Sequence, residues 1–118
     1  GDASVEALSS DGRFDHAYAA VRSMGQAALL ASGFAVPKGS RQHERVIESI
    51  RFTLGDEWST EVDYYDRCRR MRHQSMYDHS GVAQESDAQE LVSSAKRLFE
   101  ALREWLSDRH ADLYDRRE

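Results

Sequence analysis

The sequence has little that would interrupt a helix or cross-link the chain. It contains one proline, Pro37, and seven glycines in 118 residues, so long helices can persist. Its single cysteine, Cys68, cannot form an internal disulfide, which favours a buried thiol in a reducing compartment. No apolar run approaches the roughly 18 residues that span a membrane, and no signal-peptide pattern is present. We therefore expect a cytoplasmic protein that does not contact a membrane.

The chain also lacks an excess of positive charge, since it has 16 Lys and Arg against 21 Asp and Glu. The formal net charge is −5, whereas proteins that coat long nucleic acid are usually basic, because phosphate contacts supply most of that affinity. This balance argues against a general DNA-coating role but allows a small site that touches one or two phosphates. A local exception is the short stretch that carries Arg67, Arg69, Arg70 and Arg72.

Apolar residues recur along the chain at three- and four-residue spacing, which is the period of an amphipathic helix. A weak helical segment precedes a turn at Asp11-Gly12, and the last long helix opens on a capping box that starts at Ser86. No period-two alternation is present, so no sheet is expected. The predicted main helices cover residues 13–32, 41–54, about 59–81 and about 87–107.

These helices predict an all-α protein, namely an up-and-down antiparallel four-helix bundle, with the N-terminal segment as a fifth short helix. The length predicts a single domain over residues 1–118. Its core is expected at about 13–106, and the highly charged tail, 108–118, is expected to fray. Phe99 and Leu106 belong to the apolar stripe of the last helix and are therefore expected in the core.

Within the third helix, Arg72 and His79 are seven residues apart. Seven residues make about two turns, so the two side chains share one face roughly 10 Å apart along the axis. A guanidinium can hold a phosphate, and an imidazole can move a proton near neutral pH. The pair suits attack of a ribose 2′-hydroxyl on its own phosphodiester. The alternative interpretation is a solvated basic helix face with incidental histidines.

No metal site and no cofactor are predicted. The five histidines are scattered, and neither a His-x-x-x-His nor a Cys-x-x-Cys pair occurs, although such pairs are typical of metal sites. No serine or cysteine has the surroundings of an activated nucleophile.

Several segments, taken in order, resemble one protein family. They are residues 13–22, residues 27–34, His43 before the segment 46–50, and residues 69–73 followed by Tyr77 and Asp78. This succession resembles the HEPN (higher eukaryotes and prokaryotes nucleotide-binding) domains, which are small all-helical bundles. In the ribonuclease members the signature is an arginine, a polar residue and, some positions later, a histidine. Arg72, His73 and His79 match that signature.

The resemblance implies catalytic roles for Arg72 and His79. We assign binding roles to Arg69, His73 and Tyr77. It also implies a homodimer in which the two motif helices face each other, and a minimal nucleotidyltransferase as a partner.

Two functions stay open at this point. The first is a dimeric binding or accessory module for nucleotide, RNA or a minimal nucleotidyltransferase, as part of a toxin–antitoxin pair. The second is an active metal-independent HEPN ribonuclease, a toxin that uses Arg72 and His79 at the dimer cleft. In toxin-type members the histidine precedes the tyrosine, whereas here Tyr77 precedes His79, and this order favours the first.

Overall fold

The computed structural model is helical, and it describes residues 2–39, 41–78 and 83–109, with side chains for 10–39, 41–72 and 83–109. These residues contain no strand, which confirms the all-α class. None of the described helices is long and apolar enough to cross a membrane. The helices are α1 (Asp2–Ala31), α2 (Gln42–Leu54), a short 3₁₀ helix (Asp56–Trp58), α3 (Ser59–Asp78) and α4 (Glu85–Arg109).

The first helix is continuous through the expected turn at Asp11-Gly12, so the prediction of a separate N-terminal helix is wrong. A glycine inside a helix costs about 1 kcal/mol relative to alanine, and contacts with the chain before α4 offset that cost. Oδ1 of Asp11 accepts a hydrogen bond from the backbone N–H of Ala83 at 3.1 Å. Oγ of Ser10 donates to Oε2 of Glu85 at 2.9 Å. Ser10 and Asp11, at the position of the expected turn, therefore connect α1 to the beginning of α4.

The cap of α4 also differs from the prediction at Ser86. The helix begins at Glu85, and the backbone N–H of Gln84 donates to Oδ2 of Asp87 at 2.9 Å. This is the half of a capping box in which an acidic side chain in the first turn reaches back to the N-cap backbone. A carboxylate at this end of the helix also faces the positive end of the helix dipole.

Helices α1 and α4 run in the same direction. Ser10 contacts Glu85 at the first residue of α4, and farther along the two helices Met24 and Phe99 line one groove. In a strictly alternating bundle the first and fourth helices would be antiparallel. The expected up-and-down order therefore does not hold for this pair.

The second helix follows the direction of α1 as well. Near its start, His43 contacts Arg22, and near its end the ring of Phe52 lies 6.4 Å from that of Phe34, just after α1. The connection 32–41 therefore carries the chain back along α1 before α2 begins. Loop length alone does not reveal such a return, which explains why local periodicity missed it.

The third helix runs opposite to the other three. Near its beginning, Oδ1 of Asp63 lies 3.0 Å from Nη2 of Arg51 at the end of α2. Near its end, Arg72 reaches Asp15, in the first half of α1. Antiparallel α3 thus brings the basic stretch of the sequence back to α1.

The core draws on all four helices. Cys68 is buried, as expected, and burial raises the pKa of its thiol to about 11. Phe99 and Leu106, which were expected in the core, are 53% and 38% exposed. Phe99 is exposed because it lines an open groove between α1 and α4. The largest fully buried side chains are Tyr18, Tyr65, Ile47, Ile50, Leu91, Leu98, Val21, Val46 and Val62.

Two glycines of α1 predict opposite effects of the same substitution. A Cβ at Gly25 would lie 3.1 Å from Cγ1 of Val46 and 3.2 Å from its carbonyl oxygen, whereas a Cβ at Gly12 would meet nothing within 4 Å. We expect Gly12→Ala to stabilise the fold by about 0.5–1 kcal/mol. We expect Gly25→Ala to destabilise it by about 1 kcal/mol, because overpacking exceeds the gain in helix propensity. Chemical denaturation measures both. Equal stabilisation by the two variants would contradict the close packing of α1 on α2.

Candidate anion-binding site

Helices α1 and α2 bring Arg22 and His43 into contact. Nη1 of Arg22 lies 2.7 Å from Nε2 of His43. A guanidinium only donates hydrogen bonds, so this imidazole nitrogen accepts and the ring is neutral. Burial, followed by the charges of Arg22, Arg72 and Arg69, lowers the pKa of His43 below its ordinary value. Arg22 therefore keeps its full positive charge while contacting an uncharged partner.

Tyr18 lies between this pair and α3. Its side chain is only 1% exposed, and its ring centroid is 6.4 Å from that of His43 and 5.4 Å from the guanidinium carbon of Arg72. Its hydroxyl has no hydrogen-bond partner among the described residues. Burial raises the pKa of Tyr18, although the nearby arginines oppose that rise. The hydroxyl is therefore a protonated donor that is buried beside positive charge.

The structure places two of the expected site residues, Arg72 and Arg69, beside Tyr18. The Arg72 side chain is 30% exposed, and its Nε lies 3.5 Å from Oδ1 of Asp15. This distance is long for a hydrogen bond, and Nε has no hydrogen-bond partner in the described part of the chain. Nε of Arg69 lies 3.0 Å from Oδ1 of Asp66. Arg72 is thus the more loosely held of the two.

The remaining expected residues are His73, Tyr77 and His79. The backbone of His73 and Tyr77 belongs to α3, but their side chains, and all of His79, lie outside the described residues. The pairing of Arg72 with His79 therefore stays a prediction. In the described part of the chain, the imidazole near Arg72 is that of His43.

Sequence reasoning did not identify Arg22, His43 and Tyr18 as site residues. The apolar stripe of the first helix assigned Tyr18 to the core, where its ring does lie. Arg22 and His43 are 21 positions apart across a connection whose path local patterns do not show. The only available signal was that all three fall in or beside segments that resemble the HEPN family.

A pocket of about 190 Å³ opens at the Arg22–His43 contact. A water molecule occupies about 30 Å³ in the liquid, so the pocket can hold several waters or a phosphate-sized anion. A guanidinium can bind phosphate through two parallel hydrogen bonds. The pocket is lined by Arg22, Gln26, Gln42, His43 and Val46.

A larger groove, of about 770 Å³, runs between α1 and α4. Its floor is mostly apolar, and Arg13 at its rim is paired with Glu85. His16 and Lys96 also line the groove, but none of its residues has a buried polar atom without a partner in the described part of the chain. Among the described residues, no three His, Cys, Asp or Glu side chains lie close enough together to hold a metal ion.

Comparison of the chain with protein families, with curated proteins and with solved structures finds no match. The features that define the site are the Arg22–His43 contact, the pocket that opens there, the buried Tyr18 hydroxyl and the loosely held Arg72.

Removing either of two buried tyrosine hydroxyls provides a matched test of this geometry. The Tyr65 hydroxyl lies 2.7 Å from Oγ of Ser94, so Tyr65→Phe is expected to cost about 0.5–1.5 kcal/mol of stability. The Tyr18 hydroxyl has no such partner, so Tyr18→Phe is expected to change stability by less than about 0.5 kcal/mol or to increase it. Urea denaturation measures both variants. A larger loss for Tyr18→Phe than for Tyr65→Phe would show that the Tyr18 hydroxyl is satisfied within the protein.

The lowered pKa of His43 predicts a pH dependence of stability. Between the folded-state pKa and the ordinary value of about 6.5, the unfolded chain binds more protons than the folded chain. The His43 contribution is therefore complete above about pH 6.5 and is lost as the pH falls through the folded-state pKa. We expect wild type to lose more stability than His43→Gln between about pH 7.5 and 5.5. Identical pH profiles for the two proteins would contradict the neutral, acceptor role of His43.

Proposed function

We propose that the chain is a HEPN-like helical module of the cytoplasm that binds phosphate groups of RNA or of a nucleotide. The observation that carries this proposal is the pocket of about 190 Å³ at the Arg22–His43 contact, with the guanidinium of Arg72 and the buried Tyr18 hydroxyl clustered nearby. An anion in this pocket would accept hydrogen bonds from the guanidinium of Arg22 and from the side-chain amides of Gln26 and Gln42, which line it. A hydrogen bond to a charged group contributes about 1.5–3 kcal/mol.

The charges in this cluster favour an anion. Arg72 and Arg69 each have a carboxylate nearby, Asp15 and Asp66 respectively. Arg22, in contrast, contacts a neutral imidazole and has no carboxylate within ion-pair distance among the described residues. The cluster therefore keeps local positive charge in a chain whose formal net charge is −5. A phosphate group matches it in charge and in hydrogen-bonding capacity.

Binding is proposed ahead of catalysis because His43 already accepts a hydrogen bond from Arg22. An imidazole used in this way, with a lowered pKa, is a weak general base at neutral pH. The second function, metal-independent RNA cleavage by Arg72 and His79 at a dimer cleft, is favoured by one observation. Arg72 is partly exposed and only loosely held by Asp15, so its guanidinium is able to turn towards a substrate phosphate.

The proposal includes the partners that the family resemblance implies. These are a second copy of the chain, with the two α3 helices facing each other, and a minimal nucleotidyltransferase with which the chain forms a toxin–antitoxin pair. Sedimentation at micromolar concentration is expected to show a mass twice that of the 13.5 kDa chain. A monomer would overturn the shared cleft, although the binding site within one chain would remain.

Fluorescence anisotropy with a labelled single-stranded RNA of about three nucleotides tests the binding function. We expect Arg22→Ala to weaken binding at least about tenfold, because a hydrogen bond to a charged group contributes about 1.5–3 kcal/mol. The matched control is Arg103→Ala, which removes an arginine that is 69% exposed and pairs within α4 with Glu100. No binding by wild type, or equal loss in both variants, would overturn the proposed function.

The same incubation, carried out in EDTA and followed on a denaturing gel, separates binding from cleavage. Intact RNA throughout the histidine titration range, about pH 6 to 8, supports the binding module. Cleavage that disappears in both Arg72→Ala and His79→Ala would instead establish the ribonuclease.

A further inference from the structure

A second cationic pocket lies next to the Arg22–His43 pocket. It has a volume of about 200 Å³ and is lined by Lys38, Arg41 and Arg45 together with Pro37, Gly39 and Gln42. Gln42 also lines the Arg22–His43 pocket, so the two pockets adjoin at this residue. Arg41 has Glu44 at 3.6 Å, whereas Lys38 and Arg45 have no carboxylate within ion-pair distance among the described residues. Positive charge therefore continues from α1 onto the surface of α2.

Two exposed phenylalanines, Phe34 and Phe52, lie near the C-terminal end of α2. Phe34 is 56% exposed and Phe52 is 77% exposed, and their rings meet edge to face at 88° with centroids 6.4 Å apart. The two neighbouring rings form a small apolar patch, whereas single exposed apolar side chains are common on protein surfaces. Base–aromatic stacking needs an accessible ring face of this kind.

The connection between α1 and α2 joins these two features into one path. Near its start Phe34 lies beside Phe52, and near its end the carbonyl of Gly39 accepts the backbone N–H of Gln42 at 3.2 Å. The connection therefore runs alongside α2, with the aromatic pair at one end and the cations at the other. Arg45 and Phe52 are exposed on one face of α2, about two turns or roughly 10 Å apart. A single phosphate cannot reach both.

We propose that this path binds single-stranded nucleic acid across several nucleotides. Phosphates lie along Arg22, Lys38 and Arg45, and an unpaired base stacks on the Phe34–Phe52 pair. The inference rests on the proposed function, since it extends the phosphate site around Tyr18 into a longer track. Single strands fit because only unpaired bases offer a free face to an aromatic ring. The cations favour a polyanion over a protein partner for the same surface.

The test compares labelled single-stranded RNA of about three and about twelve nucleotides by fluorescence anisotropy. The longer RNA is expected to bind at least about tenfold more tightly, and more tightly than a duplex of the same sequence. Phe52→Ala should weaken binding of the longer RNA at least about fivefold and leave the affinity for the shorter RNA unchanged. Phe99→Ala is the matched control, because it removes another exposed phenylalanine, 53% exposed, on α4.

Salt dependence separates the phosphate contacts from the stacking contact. Each phosphate contact on a single strand contributes about −0.7 to the slope of log K against log salt. Arg45→Ala is therefore expected to reduce the slope measured with the longer RNA by about 0.7. Phe52→Ala should weaken binding without changing the slope, and Arg103→Ala should change neither the slope nor the affinity.

The outcomes distinguish this inference from the proposed function beneath it. One outcome is that Arg22→Ala reduces the affinity for both RNAs while Phe52→Ala and Arg45→Ala leave the affinity for the longer RNA unchanged. That result would support the phosphate site and refute the extended track. If wild type binds neither RNA, both the proposed function and the extended track are refuted. Equal affinity for the duplex and the single strand would also overturn the stacking role of the two phenylalanines.

Discussion

Helix α2 packs closely on the middle of α1, because Gly25 leaves room for Val46 and Ile50 and Arg22 contacts His43 beside them. Since α2 runs in the same direction as α1, the connection 32–41 has to travel back along α1. That return places Arg45 and Phe52 of α2 on the surface, with Phe52 beside Phe34 of the connection. A charged donor paired with a neutral ring also leaves positive charge available at this junction.

Much of the fold follows from local patterns in the sequence. The apolar stripes gave all four helices, and Gly55 marks the end of α2 as its position predicts. The ends of α2 depend on local residues, which is why they could be predicted from the sequence. The direction of α2 and the continuity of α1 could not. Both depend on contacts distant in sequence, such as Ser10 with Glu85, 75 positions apart.

The site was partly predictable for the same reason. A dense run of arginines in an acidic chain pointed to Arg69 and Arg72, and both lie beside Tyr18. Their neighbours could not be predicted, because Tyr18 has the pattern of a core residue and His43 belongs to no motif of regular spacing. One tyrosine here has both roles, since its ring packs in the core and its hydroxyl adjoins the arginines. Periodicity detects only the first role.

Anion binding in the pocket at the Arg22–His43 contact can be observed directly by an NMR titration with adenosine monophosphate that follows the backbone amides and the His43 imidazole. We expect saturable shifts at His43 and at the amides around Arg22, which are lost in Arg22→Ala and kept in Arg103→Ala. Shifts confined to the groove between α1 and α4, or no shifts at millimolar nucleotide, would contradict it.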